Sequence, residues 1–315
     1  MYISLFYDVI IMGFLLLTGA GIIFLVFFKS ARSRFWVRHK KLFAAALSAL
    51  GLIWFVVFYG SFIEPRLIVL ANYEFNSKKV SRPMRIAVVS DTHAGPAKGK
   101  RFIKRLANKI ERAKPDAVFL LGDLISDDES NIPLLEPLLA LSANTPTFAI
   151  LGNHDYLGVP NQGQVVKSFS PLEPYLRRYG VTALKNENTQ IELNGNKLAI
   201  AGIDDLASGA PDMRAALMGM PPEALRVLLS HSPDAVLYLK PGEVDMVMSG
   251  HTHGGQIRLP FIGPIAPEPT VLGRKFTRGF YVINNITLFI TSGAGESGPR
   301  ARLFVPPEIA IFEIK

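Results

Sequence analysis

Two stretches of the chain carry no charged residue, Val9 to Phe28 and Leu42 to Ile63. Neither shows a polar face, so neither reads as a core helix burying one stripe. At about 1.5 Å rise per residue each reaches roughly 30 Å, the hydrocarbon thickness of a bilayer. Both are expected to be transmembrane helices, over about residues 9–28 and 42–63. No Lys or Arg precedes the first run, which argues against a cleaved signal peptide. Residues 1–63 therefore read as a membrane anchor and 64–83 as a linker of mixed charge.

The pattern changes at Met84. Short apolar, β-branched runs bounded by Gly or Ser recur at Ile86–Ser90, Val118–Gly122, Phe148–Gly152, Val227–Ser230 and Met246–Gly250. Such runs signal buried parallel strands. Lys100 to Ala113 predicts a helix with Phe102, Ile103, Leu106, Ala107 and Ile110 on one face. Asn131 to Leu141 and Gln164 to Tyr179 predict two more. After Gly180 the strand–helix rhythm weakens, and Asn194-Gly195-Asn196 and Asn284-Asn285 mark hairpins. Further strands are expected near 226–230, 244–249, 256–259, 279–283, 286–291 and 308–314, with a long ordered loop over Pro260–Pro269. The expected fold is α/β, a two-sheet αββα sandwich over residues 84–315 behind the two helices.

Charge is partitioned along the same boundary. Residues 1–85 hold 11 Lys/Arg against 3 Asp/Glu, which accounts for the whole net charge of +8, and residues 86–315 hold 23 of each. The basic excess belongs to the membrane segment, which removes nucleic acid as an expected partner and leaves membrane lipids. Six of the basic residues lie in the connector 29–41, with no acid among them. Lys/Arg-rich short loops stay in the cytoplasm, so residues 64–315 are expected on the extracytoplasmic side. Cysteine is absent, which excludes disulfides, thiolate ligands and a Cys nucleophile.

The chemistry sits just past the strands. Asp91 and His93 follow the first run, Asp123 the second, and Asn153, His154 and Asp155 the third. His231 follows the fourth run, and His251 and His253 the fifth, leaving His39 as the one histidine outside the set. In α/β sheets the site lies beyond the carboxyl ends of the strands. Residues i and i+2 of extended chain point the same way, so Asp91/His93 and His251/His253 can each address one site. A sulfur-free set of N and O donors suits Mn²⁺, with Fe or Zn²⁺ as alternatives. There are too many donors for one ion and about enough for two sharing a carboxylate. Two-metal centres clamp the attacking and leaving oxygens of an in-line displacement, a need typical of phosphoester hydrolysis.

Asp91-x-His93, Gly122-Asp123, Gly152-Asn153-His154-Asp155, His231 and Gly250-His251-Thr252-His253 resemble, in order, the motif set of the calcineurin-like metallophosphoesterases. The resemblance covers residues 84–315. The string Gly250 to Arg258, Pro306-Pro307-Glu308 and Ile63-Glu64-Pro65 resemble its membrane-associated bacterial phosphodiesterase branch. That resemblance implies Asp91, His93, Asp123 and His253 on a first metal, with Asp123 bridging, and Asn153, His231 and His251 completing a second. It implies His154 as a catalytic residue above the substrate rather than a ligand. Many relatives carry Asp three residues after the bridging one, orienting that histidine. Here the position is Ser126, and Asp127, Asp128 or Asp155 are the candidates to replace it.

Arg258, Arg300 and Arg302 are candidate phosphate contacts, and the backbone N–H groups of Ser292-Gly-Ala-Gly295 another. The expectation is a dinuclear metallophosphoesterase of the bacterial cytoplasmic membrane, cleaving a phosphodiester or pyrophosphate, with lipid-linked substrates favoured by the anchor. Attack would come from a metal-bound hydroxide. A UDP-2,3-diacylglucosamine pyrophosphatase of lipid A synthesis is the alternative enzyme, and a metal-stabilised binding or scaffold protein the alternative outside enzymes.

Overall fold

The computed structural model describes residues 2–27, 38–161, 164–266 and 269–315. Most of the basic connector 29–41, and residues 267–268 of the expected loop, lie outside the described residues.

The two uncharged runs form α1 (Tyr2–Phe27) and α2 (Lys40–Phe58). The second continues through a π-helical turn, Tyr59–Ile63, into a 3-10 turn, Glu64–Arg66. Both are long and apolar enough to cross a membrane. They pack on each other, with Trp54 Nε1 donating to the Leu15 carbonyl at 2.9 Å across Gly19. Most of their remaining surface is apolar and exposed, as expected when lipid rather than protein covers it.

Two six-stranded sheets follow. The first runs β1 (Val69–Phe75), β16 (Glu308–Ile314), β2 (Met84–Val89), β3 (Ala117–Leu121), β4 (Thr147–Ile150), β7 (Thr182–Ala183). The second runs β14 (Gly279–Ile283), β15 (Ile286–Ile290), β11 (Met246–Ser249), β10 (Leu225–Leu229), β9 (Asn196–Gly202), β8 (Glu187–Leu193). Hairpins β5 (Leu157–Asn161)/β6 (Gln164–Phe169) and β12 (Arg258–Leu259)/β13 (Gly263–Pro264) lie apart. Period-two alternation makes the layers. Ile86, Val88, Phe119 and Leu121 face Leu198, Ile200, Val227, Leu229, Met246 and Met248 between the sheets. The alternate residues Ala87, Val89, Val118 and Leu120 face α3 (Lys100–Ala113), which buries Phe102, Ile103, Leu106 and Ile110. Ala201, Leu228, Val247 and Leu288 pack outward on Ala235, Val236 and Leu239. Each fully buried aliphatic side chain stabilises this stack by about 1.5–3 kcal/mol relative to exposure. The result is the αββα sandwich.

Three segments differ from the expectation. Residues 64–83 contain an edge strand, since β1 pairs in parallel with β16 over seven residues. The reason is aromatic packing: Tyr73 reaches the rings of Phe289 at 4.8 Å and Phe312 at 5.5 Å. Gln164–Tyr179 is not one helix. Gln164–Phe169 pairs antiparallel with β5, and the helix is confined to Leu172–Arg178. Adjacent β-branched Val165 and Val166 favour the strand, and Pro171 sets a new helix start. Asn131–Leu141 is helical but mostly 3-10, with Pro133 inside and an α turn only at Glu136–Leu139. Both predicted hairpins stand, with Asn194, Gly195, Asn284 and Asn285 all at positive φ.

Candidate metal centre

The carboxyl ends of β2, β3 and β4 in one sheet and of β10 and β11 in the other meet at one rim. The turns there are tight. Asp91, His93, Asp123, His251 and His253 all have φ between 42° and 70°, a region costly for residues with a Cβ. Hydrogen bonds hold the turns in place. Asp91 N donates to Gly122 O at 3.0 Å, and His93 N to Asp123 O at 3.0 Å. Gly250 permits the closest approach of the two sheets, because a Cβ there would overlap Ser90 and Asp91.

The side chains form two donor groups that share Asp123. Asp91, His93, Asp123 and His253 make one, and Asp123, His231 and His251 the other. Within each group the ligand atoms lie within 4.8 Å of one another. His93 Nε2 and His253 Nε2 are 3.2 Å apart, and His251 Nδ1 and His231 Nε2 are 3.1 Å apart. His231 Nε2 approaches Asp123 Oδ2 at 3.1 Å, and His253 Nε2 approaches Asp91 Oδ1 at 3.5 Å. Facing ring nitrogens repel unless a proton or a cation lies between them. His231 Nδ1 lies 2.8 Å from the Leu121 carbonyl, so with Nδ1–H donating there the Nε2 lone pair points inward. The donor set therefore fits divalent cations.

Electrostatics agree. Burial pulls His93 and His253 down to about 3, leaving them neutral with lone pairs available. Burial pulls His231 the same way, but the Asp123 carboxylate outweighs it and pushes His231 up to about 10. Asp123 is in turn held well below the usual carboxylate range by His231, against its own burial. A bound cation would take the place of that proton.

Asn153 and His154 lie in a short turn after β4, where His154 N donates to Asp123 Oδ1 at 2.8 Å. The His154 ring is partly exposed, and its Nδ1 lies 2.7 Å from Asp127 Oδ2. Of the three acids considered for this contact, the structure brings Asp127 to it. Asp128 instead caps the turn at Ser130. Asp155 is fully buried and accepts from the backbone N–H groups of Leu124, Ile125 and Gly152 at 2.8–3.0 Å, tying the β3 and β4 turns together. Burial and then the Asp123 charge push Asp155 up to about 7, against those N–H bonds. Ser126 Oγ donates to the His93 carbonyl.

The arginines separate. Arg302 is fully buried and donates to the carbonyls of Gly295, Ser292 and Val305, bracing the loop behind His253. It is a scaffold group and does not face the cleft. Arg300 pairs with Asp8 of α1 at 2.8 Å, and Arg258 donates to Gly254 O and Thr277 Oγ1. The N–H groups of Gly293, Ala294 and Gly295 are bonded to Thr291, Ser90 and Asp91, so they do not present a phosphate cradle. Sequence patterns missed these inward roles because nothing in the spacing of a lone arginine or glycine turn reports which way it faces.

A cleft of about 420 Å³ opens beside the donors, lined by Asp123, Asn153, His154, His251 and His253 on one side and by Ile257, Ile265, Ala266 and Pro269 on the other. The model of the calcineurin-like phosphoesterase family matches residues 84–255. The chain belongs to that family. Its members are hydrolases acting on phosphoester bonds, and this phosphoesterase shares their α/β two-sheet fold. The metallophosphoesterase YkuE of Bacillus subtilis is 31% identical over 267 residues, 82% of this chain and 89% of that protein. The UDP-2,3-diacylglucosamine pyrophosphatase LpxG of Chlamydia muridarum is 27% identical over 81% of this chain and 91% of its own. A Danio rerio protein described as a transmembrane protein with a metallophosphoesterase domain is 28% identical over 74% of this chain, which spans 53% of its length.

Proposed function

We propose that this phosphoesterase is a membrane-anchored enzyme cleaving a lipid-linked phosphodiester or pyrophosphate with two divalent ions, Mn²⁺ foremost and Fe or Zn²⁺ as alternatives. The observation that carries the reading is the pair of donor groups sharing Asp123, with the His154 ring beside them in the same cleft. Asp91, His93, Asp123 and His253 would hold one ion, and Asp123, Asn153, His231 and His251 the other. Bound there, such ions supply positive charge to the phosphoryl oxygens and lower the pKa of an attacking water.

His154 then acts on substrate. Its Nδ1 lies 2.7 Å from Asp127 Oδ2, and as the imidazolium it would donate from Nε2–H to a phosphoryl oxygen or to the leaving group. Asp127 is the positioning residue: its carboxylate accepts from Nδ1–H and fixes ring orientation, and donation from Nε2 requires that both ring nitrogens carry a proton. The family's activity and this placement weigh against a metal-stabilised scaffold.

The apolar cleft wall supports a lipid-linked substrate. Between Ile257 and Ile265 in the chain, the segment of β12 and β13 carries the exposed Leu259, Phe261 and Ile262. Backbone bonds link that wall to the end of the second apolar helix: Leu303 N to Gln256 O, Arg258 N to Leu303 O and Arg302 N to Gly60 O. The rim is thus tied to the segment leaving the bilayer. We place the anchor at residues 1–63 and the catalytic domain on the extracytoplasmic side, from the basic connector.

The second reading is a UDP-2,3-diacylglucosamine pyrophosphatase, favoured by the likeness to LpxG. The full-length protein in neutral detergent with Mn²⁺ should be given bis-p-nitrophenyl phosphate, p-nitrophenyl phosphate and UDP-2,3-diacylglucosamine. Turnover of the diester above the monoester is expected. Preferred turnover of the UDP-lipid would promote the second reading, and failure on all three would contradict the proposed class.

A further inference from the structure

A second large cavity lies apart from the metal cleft. It encloses about 800 Å³ between the membrane helices and the start of α3. Its apolar wall is Ile11 and Met12 of α1 with Phe62 of the π-helical turn, and its polar wall includes Arg66, Arg101 and Arg105. Other charges on its wall are neutralised: Lys98 pairs with Glu296 at 2.8 Å, Arg300 with Asp8 at 2.8 Å, and Lys100 with Glu136 at 2.6 Å. No carboxylate lies within ion-pair distance of Arg66, Arg101 or Arg105 among the described residues. Among the described residues Arg105 donates to the Arg66 carbonyl and Arg66 to that of Phe62, so two of these guanidiniums share one short segment. The start of α3 adds to the imbalance. Its first turn holds no acid, its N-cap Gly99 offers no side chain, and Arg101 sits where a helix favours anions. A folded chain that gathers this much uncompensated positive charge around a cavity is suited to an anion.

The apolar wall specifies the rest of the ligand. The second apolar span ends at Arg66 and the first begins at Phe6, so the cavity lies where both helices leave the apolar layer on one side. Resting on the membrane reading above, we infer that this cavity binds the phosphate headgroup of an anionic membrane phospholipid. The phosphate would lie among Arg66, Arg101 and Arg105, with the acyl chains running down Ile11, Met12 and Phe62. The site is separate from the metal centre. The two share only the segment from Glu296 to Arg300, in which Glu296 and Arg300 face the cavity while Ser297 and Pro299 face the cleft. A lipid there would hold the catalytic domain at a fixed height on the bilayer.

The test uses the full-length protein in nanodiscs of phosphatidylcholine with phosphatidylglycerol, followed by release into neutral detergent and native mass spectrometry. Wild type should retain one phosphatidylglycerol per chain in preference to phosphatidylcholine. Arg101→Gln with Arg105→Gln should lower that retention roughly tenfold or more, since each basic residue near a membrane surface counts appreciably. Arg101→Lys with Arg105→Lys should restore most of it, which separates charge from fold. Millimolar inorganic phosphate should not displace the lipid. Equal retention by the Gln variant, no preference for the anionic lipid, or displacement by inorganic phosphate would each overturn the inference. The readout needs no turnover, so an inactive or metal-free protein reports equally well. Recovery of wild type in the soluble fraction of cells would instead overturn the membrane reading and this site with it.

Discussion

Asp127 takes the place expected three residues beyond Asp123, where the chain has Ser126, and its Oδ2 lies 2.7 Å from His154 Nδ1. A one-residue shift is possible because Asp127 itself adopts a left-handed backbone, φ 45°, which swings its carboxylate back over the rim. The sequence offered three acids for this contact and could not choose among them, because the choice depends on a local φ. The gathering of Asp91, His93, Asp123, His231, His251 and His253 at one rim was more legible, since each follows a strand and strand ends converge. On this account His154→Ala should leave metal content at wild-type level while lowering kcat by roughly 10²-fold or more. Asp127→Asn should lower it less, by about tenfold, the lower end for a residue that orients another. Metal analysis beside steady-state kinetics separates these roles, and loss of one ion per chain in His154→Ala would make the histidine a ligand.

At the scale of elements, the strands that carry the site were readable from apolar runs closed by Gly or Ser. The terminal glycines have a specific task. Gly250 ends β11 against Ser90 and Asp91, where any side chain would overlap both. Gly250→Ala should therefore separate the two sheets at the rim, destabilising the fold by about 1–3 kcal/mol and weakening metal retention more than an equally destabilising change elsewhere. Thermal unfolding with and without added Mn²⁺ would check it, and an unaltered midpoint in both would contradict the close approach. Other elements were illegible for physical reasons. β1 joins the sheet through contacts of Tyr73 with residues more than two hundred positions away. The β5/β6 hairpin lies in a segment whose spacing also suits a helix, and pairing with β5 decides between them.

For the molecule as a whole, the two apolar helices and the phosphoesterase domain are joined by buried polar contacts rather than by a loose tether. Glu64 is buried and accepts from Val305 N, and Lys98 donates to the Pro65 carbonyl while pairing with Glu296. Leaving such a group unpaired typically costs about 1–3 kcal/mol, so the cleft should keep a fixed attitude to the two apolar helices. The sequence signalled two long apolar helices by their lack of charge, but the docking of Glu64 and Arg302 could not be read without the fold. The outward orientation proposed from the basic connector bears on substrate, because an outward cleft does not meet a cytoplasmic nucleotide-linked lipid. Alkaline phosphatase fused after Lys315 should be active in cells and green fluorescent protein there dark. The reverse pattern would place the cleft inside and favour the UDP-diacylglucosamine reading.

The central claim is that one carboxylate, Asp123, joins two metal sites that together perform phosphoester hydrolysis. The most direct measurement is metal content and phosphodiester turnover on the same samples of wild type and Asp123→Asn. Wild type should bind two divalent ions per chain, lose activity on chelation and regain it with Mn²⁺. Asp123→Asn should lose metal and turnover together. Full turnover by chelated, metal-free wild type, or two tightly held ions with full activity in Asp123→Asn, would contradict the account.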